Sequence, residues 1–423
     1  MALPTPVAGD DLAGDLASPA RASGFNGLLI TGLYVTQSLG VGFLGTGLAI
    51  ILRQAGVGLE VLGLITLAGL AWPLKFLWAP LTDRFGARRG HYRSWLLVLQ
   101  PLMVLVILAM LPFGDLTDLT GIVVLGIALA VLSATQDTAS DALAVGLMRG
   151  SRRGIVNGLQ VAGGYLGNLL GGGVTVLVYA AWGWQAAIGF LAVATALPII
   201  TIVLAKEPEL QRERPSVRES FGSLLTVLRQ PGATLWALGT VTIAVASISI
   251  LTALTSPALI DRGWADWEVA LLTGIGIGLA GMVGGVAGGA LVRSHGRRAA
   301  FALTATATAV CTAASVLVVF GGFTAAPVWI AICATYIAFT ALSAVQYTVA
   351  MDYSREGTAG SDFTLQNSIQ QAASFIAASG ALFLAAWVGY AAVGWIAVAG
   401  LVIAAVLGMR HLAVHGARLD AAA

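Results

Sequence analysis

Apolar residues in this chain fall in long runs, separated by short polar stretches that carry most of the charge. Runs of membrane-spanning length occur at 25–52, 60–82, 93–113, 120–148, 154–181, 184–205, 233–260, 268–292, 298–320, 327–352, 362–388 and 391–411. A helix crosses a bilayer with roughly 20 mostly apolar residues, so the pattern predicts an all-α membrane protein of twelve transmembrane helices. Several runs are longer than a straight crossing needs, which implies tilt or helix that continues past the lipid.

The polar stretches set the expected orientation, because Lys and Arg accumulate on the cytoplasmic side of membranes. With both termini inside, 19 of the 22 basic residues fall in cytoplasmic segments. The outer loops then hold only Arg53 and Arg262, and Lys75 lies within a helix. The opposite orientation would place those 19 outside. Residues 1–24 have no apolar core of signal-peptide type and read as a disordered cytoplasmic tail. The expected organisation is a six-helix bundle at 25–205, a polar, proline-punctuated cytoplasmic linker at 206–232, a second bundle at 233–412 and a short tail at 413–423.

Composition narrows the class. Of 423 residues, 58% are hydrophobic and 10% are charged. Soluble domains carry roughly 25% charged residues, so this chain has too few to cover a water-facing surface. The 53 glycines sit inside apolar runs, where small residues let helices approach. Cys311 and Cys333 also lie in apolar stretches, so neither a disulfide framework nor a metal site is expected. The four histidines fall at cytoplasmic edges. No phosphate-binding loop is present: Gly150-Ser151-Arg152-Arg153-Gly154 lacks the Lys-Ser/Thr and the strand that such a loop needs. No cofactor is called for, nucleic acid is not an expected partner, and no Ser/His/Asp or metal constellation points to an intramembrane enzyme.

The two bundles repeat. An offset of 210 pairs Gly86 with Gly296, Arg88 with Arg298, Ser133 with Ser343, Gln136 with Gln346, Thr138 with Thr348, Gly150 with Gly360, Ser151 with Ser361, Asn157 with Asn367 and Gln160 with Gln370. Repeated halves of this kind are a transporter architecture, with the site near the membrane midplane between them. The mismatches carry more: Asp83 aligns with Arg293, Asp137 with Tyr347, Asp141 with Met351 and Lys75 with Gly285. Ionisable groups within helices or at their ends are concentrated in the first half, which makes that half the better candidate for ion coupling.

Leu81-Thr82-Asp83-Arg84-Phe85-Gly86-Ala87-Arg88-Arg89 resembles the loop signature of the major facilitator superfamily, and Arg293-Ser294-His295-Gly296-Arg297-Arg298 is a degenerate copy. Two further stretches are similar to its muropeptide-permease and acetyl-CoA-transporter branch: Trp72-Pro73-Leu74-Lys75-Phe76-Leu77-Trp78-Ala79-Pro80-Leu81-Thr82-Asp83-Arg84, and Ser133-Ala134-Thr135-Gln136-Asp137-Thr138-Ala139-Ser140-Asp141-Ala142. That branch includes siderophore importers of the rhizobactin and pyochelin type, which a compact twelve-helix chain resembles more than it does the longer muropeptide permeases. The resemblance implies two pseudo-symmetric bundles, alternating access and a cytoplasmic gate at Asp83, Arg84, Gly86, Arg88 and Arg89. Enforcing topology alone is the competing role for Arg84, Arg88 and Arg89.

Asp137 and Asp141 stand four residues apart and share a helix face. A charge inside a membrane helix is a functional hypothesis by default. By depth, Lys75 is expected to pair with Asp141, leaving Asp137 as the proton-coupling carboxylate; a static buried network of all three is the plainer reading. Cavity candidates are Tyr34, Gln37, Gln136, Asn157, Gln160 and Asn168 from the first half, with Gln346, Tyr347, Gln366, Asn367, Gln370 and Gln371 from the second. Ordinary interhelical hydrogen bonding is the competing role for any one amide. Gly163, Gly167 and Gly171 in helix 5 and Gly281, Gly285 and Gly289 in helix 8 are expected to meet across the two halves.

These features imply a multi-pass bacterial inner-membrane symporter, working as a monomer, that imports a siderophore or its iron complex with protons. A peptidoglycan fragment is the alternative cargo and an exporter the third reading. A non-transporting receptor is disfavoured because the outer loops are too short to form a binding domain.

Overall fold

The computed structural model of the chain describes residues 19–55, 57, 68–87, 90–116, 119–147, 152–205, 207, 221, 224–355 and 358–422. Without water to take up backbone hydrogen bonds, a lipid-embedded chain closes them within helices. All regular structure among the described residues is accordingly helical. Helix α1 runs through Pro19–Gly42, Phe43–Gly47 and Leu48–Gln54. Helix α2 is broken into Ala68–Leu70, Ala71–Leu74, Lys75–Leu77 and Ala79–Arg84. Pro73 and Pro80 withhold amide donors there, and 3-10 turns alternate with α-turns. Helices α3 (His91–Leu108) and α4 (Leu119–Leu147) are regular.

Helix α5 starts at Arg152–Asn168, continues through Leu169–Val174 and ends inside Thr175–Ala196, where Gly183 (φ 80°) turns the chain into α6, completed by Pro198–Leu204. Helix α7 comprises Leu235–Val241 and Thr242–Ile260. Helix α8 comprises Asp266–Ala270, Leu271–Gly276 and the first part of Ile277–Gly321, which turns at Gly296 (φ 75°) into α9. Positive φ at these turns favours glycine. Helices α10 (Ala325–Tyr353), α11 (Ala359–Val388) and α12 (Tyr390–Ala422) follow.

The expected tails are partly ordered. Residues 19–24 begin α1, and 413–422 extend α12, in an alanine-rich stretch that suits a helix. Residues 1–18, most of the 206–232 segment, and the outer part of the run at 60–82 lie outside the described residues.

Two apolar clusters stay on one side of the molecule. One draws on residues 39–192, the other mainly on 259–336. A third crosses between the two six-helix groups: Leu29, Ile30, Leu33, Tyr92, Leu96 and Ala142 meet Ala350, Met351 and Phe363. Those residues lie toward the end that carries the segment joining α6 to α7, called the linker end below. Aliphatic side chains along the helices face outward, and Trp182 (74% exposed), Trp267 (67%) and Trp387 (88%) sit by turns at the opposite end. Such tryptophans suit a lipid–water boundary.

Glycine ladders set two seams, one of them not where the spacing suggests. Gly163, Gly167 and Gly171 pack on α1: a Cβ at Gly167 would stand 2.2 Å from the Val35 carbonyl oxygen, and one at Gly171 2.0 Å from that of Leu39. The glycines that meet α8 are Gly154 and Gly158, opposite Gly285 and Gly289, with a Cβ at Gly158 only 2.6 Å from the Gly285 oxygen. From 158 to 163 the helix turns roughly 500°, so the two sets occupy different faces.

At the linker end, Glu207 ties α6 to α3. Its carboxylate accepts from the backbone N–H groups of Tyr92 (3.1 Å) and Arg93 (2.8 Å), while Arg93 Nε donates to the Ile202 carbonyl at 2.8 Å. Burial pushes this carboxyl above its usual range, opposed by the Arg93 and Tyr92 amides and the Arg93 charge. No side chain within α3 caps its own start. Glu207→Ala should therefore lower stability by about 1 kcal/mol, the worth of a capping residue, read as a lower Tm in detergent with unchanged helix content.

Candidate functional site

The buried ionisable cluster forms where the kinked α2 meets α1, α4 and α5. Lys75, fully buried, opens the 3-10 turn Lys75–Leu77, and its ammonium donates to Asp137 Oδ2. Gln37 Nε2 donates to the other Asp137 oxygen. One turn along α4, Asp141 Oδ1 accepts from Tyr34 OH at 2.7 Å and Gln160 Nε2 at 3.1 Å, while Oδ2 has no hydrogen-bond partner among the described residues.

The expected Lys75–Asp141 pairing is thus exchanged for Lys75–Asp137. Asp141 already has two neutral donors, whereas Asp137 has one, so the ammonium supplies the charge the latter lacks. Lys75 remains close enough to Asp141 to act on it electrostatically.

Between the two six-helix groups lies a cavity of about 710 Å³. Of the twelve amide and tyrosine candidates, Tyr34, Gln37, Gln160, Asn168, Tyr347, Asn367, Gln370 and Gln371 line it, and so does Asp137. Four do not. Gln136 Nε2 donates to Gln100 Oε1 at 2.8 Å and Thr36 Oγ1 at 3.1 Å, inside the first six helices. Asn157 Nδ2 reaches Thr348 Oγ1 and Met351 Sδ, both at 3.3 Å, and so joins α5 to α10 instead. Gln366 Nε2 serves the backbone oxygens of Ala350 and Asp362, each at 3.2 Å. On α10 the cavity-facing positions are Tyr336, Phe339, Thr340, Ser343 and Tyr347. Gln346 is buried and is not among the residues that line the cavity.

Sequence reasoning missed Trp72, Tyr165, Ser249, Thr252 and Tyr336, all of which line the cavity. Thr252 and Tyr336 share a hydrogen bond, and Ser249 meets Ser374 at 2.6 Å. A hydroxyl in an apolar run has no spacing signal, since serine and threonine can satisfy themselves on their own helix.

Below the cavity the two groups are fastened by Asp83 at the end of α2. Its Oδ1 accepts from the Gly360 amide at 3.0 Å and from Tyr92 OH at 2.8 Å, and its Oδ2 from the Ser361 amide at 2.8 Å and Ser361 Oγ at 2.5 Å. A carboxylate here meets the positive end of α11. A Cβ on Gly360 would lie 2.6 Å from Asp83 Oδ1, so the glycine is what admits the carboxylate.

The other members of the predicted gate differ in role. Arg84 lies over the Phe85 ring at 5.8 Å, Gly86 turns the chain with φ 155°, and Arg88 and Arg89 lie outside the described residues. The partners Gly360 and Ser361 left a trace in sequence, because the repeat pairs them with Gly150 and Ser151. In the second half, Arg297 pairs with Asp352 (2.5 Å) and Arg355 with Asp362 (2.7 Å).

A two-part helical bundle with a cavity between its parts, lined by amides and hydroxyls among apolar side chains, and with buried charges on one wall is a membrane-transporter architecture. The chain belongs to the Major Facilitator Superfamily, whose model matches residues 30–378. The family is one of multi-pass membrane transporters rather than enzymes, and the curated relatives reported next are bacterial, in keeping with an inner membrane. The chain is 31% identical over 261 residues to a putative transporter AmpG 4 of Rickettsia felis, covering 59% of this chain and 63% of that one. It is 35% identical over 158 residues to the anhydromuropeptide permease of Escherichia coli K12, covering 36% and 31%.

The chain thus spans under two thirds of the length of these relatives. The fold is shared with the E. coli fucose:proton symporter FucP (TM-score 0.70, 14% identity, 92% of this chain and 99% of that one). It is shared equally with a bacterial homologue of the iron transporter ferroportin in an outward-facing state (0.69, 15%, 92% and 99%).

Asp83→Asn removes the charge that faces α11 and keeps the size. Charge-assisted hydrogen bonds contribute about 1.5–3 kcal/mol, so the linker end should open at least tenfold more often. Maleimide labelling of Thr364→Cys, a fully buried position between α4 and α11, should accelerate by that factor in the Asp83→Asn background. An unchanged rate would show that Asp83 does not hold the two groups together.

Proposed function

We propose that the protein is a proton-coupled importer that carries a peptidoglycan fragment of the anhydromuropeptide class across the inner membrane by alternating access. The observation that carries this reading is the chemistry of the cavity lining. It offers amides, hydroxyls and aromatic rings, with Asp137 its single ionisable carboxylate and no Lys or Arg among the described lining residues. Amides and hydroxyls match the hydroxyl and acetamido groups of an amino sugar, and Trp72, Tyr165 and Tyr336 offer apolar faces to its ring. Similarity to the anhydromuropeptide permease supports the same cargo. The siderophore reading drawn from compact length lacks such support: the curated relatives reported above bear permease and AmpG names, and a ferroportin homologue at 15% identity speaks to fold alone.

In this mechanism residues 25–205 and 233–412 rock as two bodies joined by 206–232, both termini are cytoplasmic, and a single chain suffices. The linker end is then the cytoplasmic side, closed by Asp83 and the apolar cluster that crosses between the bodies. The cavity accordingly faces outward, ready to load. Protonation of Asp137 releases Lys75 to the nearby Asp141, so proton uptake and rearrangement of the α2–α4 contact are one event. A helix-embedded pair that trades partners costs less than one that loses its partner.

The test is uptake by proteoliposomes of labelled anhydromuropeptide and of a labelled ferric siderophore, with and without an inward proton gradient. Gradient-dependent accumulation of the muropeptide alone is expected. Asp137→Asn alone leaves Lys75 free to pair with Asp141, so the informative variant is Lys75→Met with Asp137→Asn, which removes the exchanging pair. It should keep muropeptide exchange across the membrane and lose accumulation against a gradient. Siderophore accumulation instead would overturn the cargo, and full accumulation by the double variant would overturn the coupling role.

A further inference from the structure

The repeat places opposite charges at equivalent points of the two seams. Asp83 and Arg293 align at an offset of 210, each at the linker end of its helix. Asp83 closes its seam by accepting from the start of α11. Arg293 ends α8 beside the start of α5, where a Cβ on Gly154 would stand 2.6 Å from the neighbouring Val292 Cβ. A helix start attracts anions and repels a guanidinium. This seam therefore sets the Arg293 charge beside the positive start of α5, and α5 opens with two further arginines in sequence, Arg152 and Arg153.

A groove of about 430 Å³ runs up the same seam, lined by Ile155, Leu159, Val286, Ala290, Arg293 and Ser294. Val286 and Ala290 are exposed on the outer surface of the helices, and no carboxylate lines the groove among the described residues. Arg293 is itself exposed and has no ion pair or hydrogen-bonded partner among them.

We propose that this groove binds an anionic phospholipid, with its phosphate at Arg293 and one acyl chain along Ile155, Leu159, Val286 and Ala290. The charge complementarity selects an anion, and the four aliphatic side chains select one that carries a hydrocarbon chain. A lipid so placed touches both six-helix groups and supplies from outside the negative charge that Asp83 supplies from within the other seam. Its departure accompanies opening of the linker end.

The experiment is native mass spectrometry of the full chain, delipidated and then offered phosphatidylglycerol or phosphatidylcholine of the same acyl composition. One basic residue near a membrane surface is worth about fivefold in binding an anionic lipid. Retention of phosphatidylglycerol should exceed that of phosphatidylcholine by about that factor in the wild type, and the preference should vanish in Arg293→Gln. Ala290→Trp, which fills the groove and leaves Arg293 in place, should lower retention as well. Equal retention of the two lipids by the wild type, or a preference that survives Arg293→Gln, overturns the site. Retention unaffected by Ala290→Trp, or phosphatidylglycerol displaced by inorganic phosphate, overturns the acyl-chain half of the proposal and leaves a bare anion contact.

Discussion

A charge buried among apolar helices has to be neutralised where it stands, and the arrangement of this protein follows from that requirement. Lys75 cannot reach water, so α2 bends at a 3-10 turn to deliver its ammonium to Asp137. Asp137 in turn lines the cavity, while Asp141 is engaged through its Oδ1 by Tyr34 and Gln160. Hence the helix that bears the kink, the helix that bears the carboxylates and the wall of the cavity are one mechanical unit. The opposite wall carries hydroxyls and amides and no carboxylate among its described lining residues. It is free to be shaped by cargo alone.

The twelve helices were legible in sequence because lipid leaves the backbone one solution, and the length of an apolar run reports it directly. The broken α2 was less legible: Pro73 and Pro80 mark irregularity, yet they do not say which way Lys75 will be aimed. The i, i+4 spacing of Asp137 and Asp141 put both carboxylates within reach of that lysine. Choosing between them required knowing that Tyr34 and Gln160 had already engaged one. Depth along a helix, the basis of the sequence argument, carries no information about such prior engagement.

The same distinction separates the amides. Gln37, Gln160, Asn367, Gln370 and Gln371 reach the cavity, whereas Gln136, Asn157 and Gln366 are consumed by neighbours. Sequence marks which side chains need partners and leaves the partners unnamed. Small-residue ladders behave alike. Spacing showed that α5 has glycine faces, and only the helix rotation shows that Gly154 and Gly158, not Gly163 and Gly167, meet α8.

That α5–α8 contact has a consequence of its own. Where interlocked side chains separate, each must find a new rotamer and a new neighbour before the surfaces can re-form. Gly158 against Gly285 and Gly289 has no side chain to re-register, so along that stretch main chain lies on main chain, flanked by Val292 at Gly154 and Val161 at Gly285. A surface of this kind acts as a plain bearing: it guides two bodies past one another and stores almost no preference for either end of the stroke. The bias between states is then left to the few charged contacts at its rim.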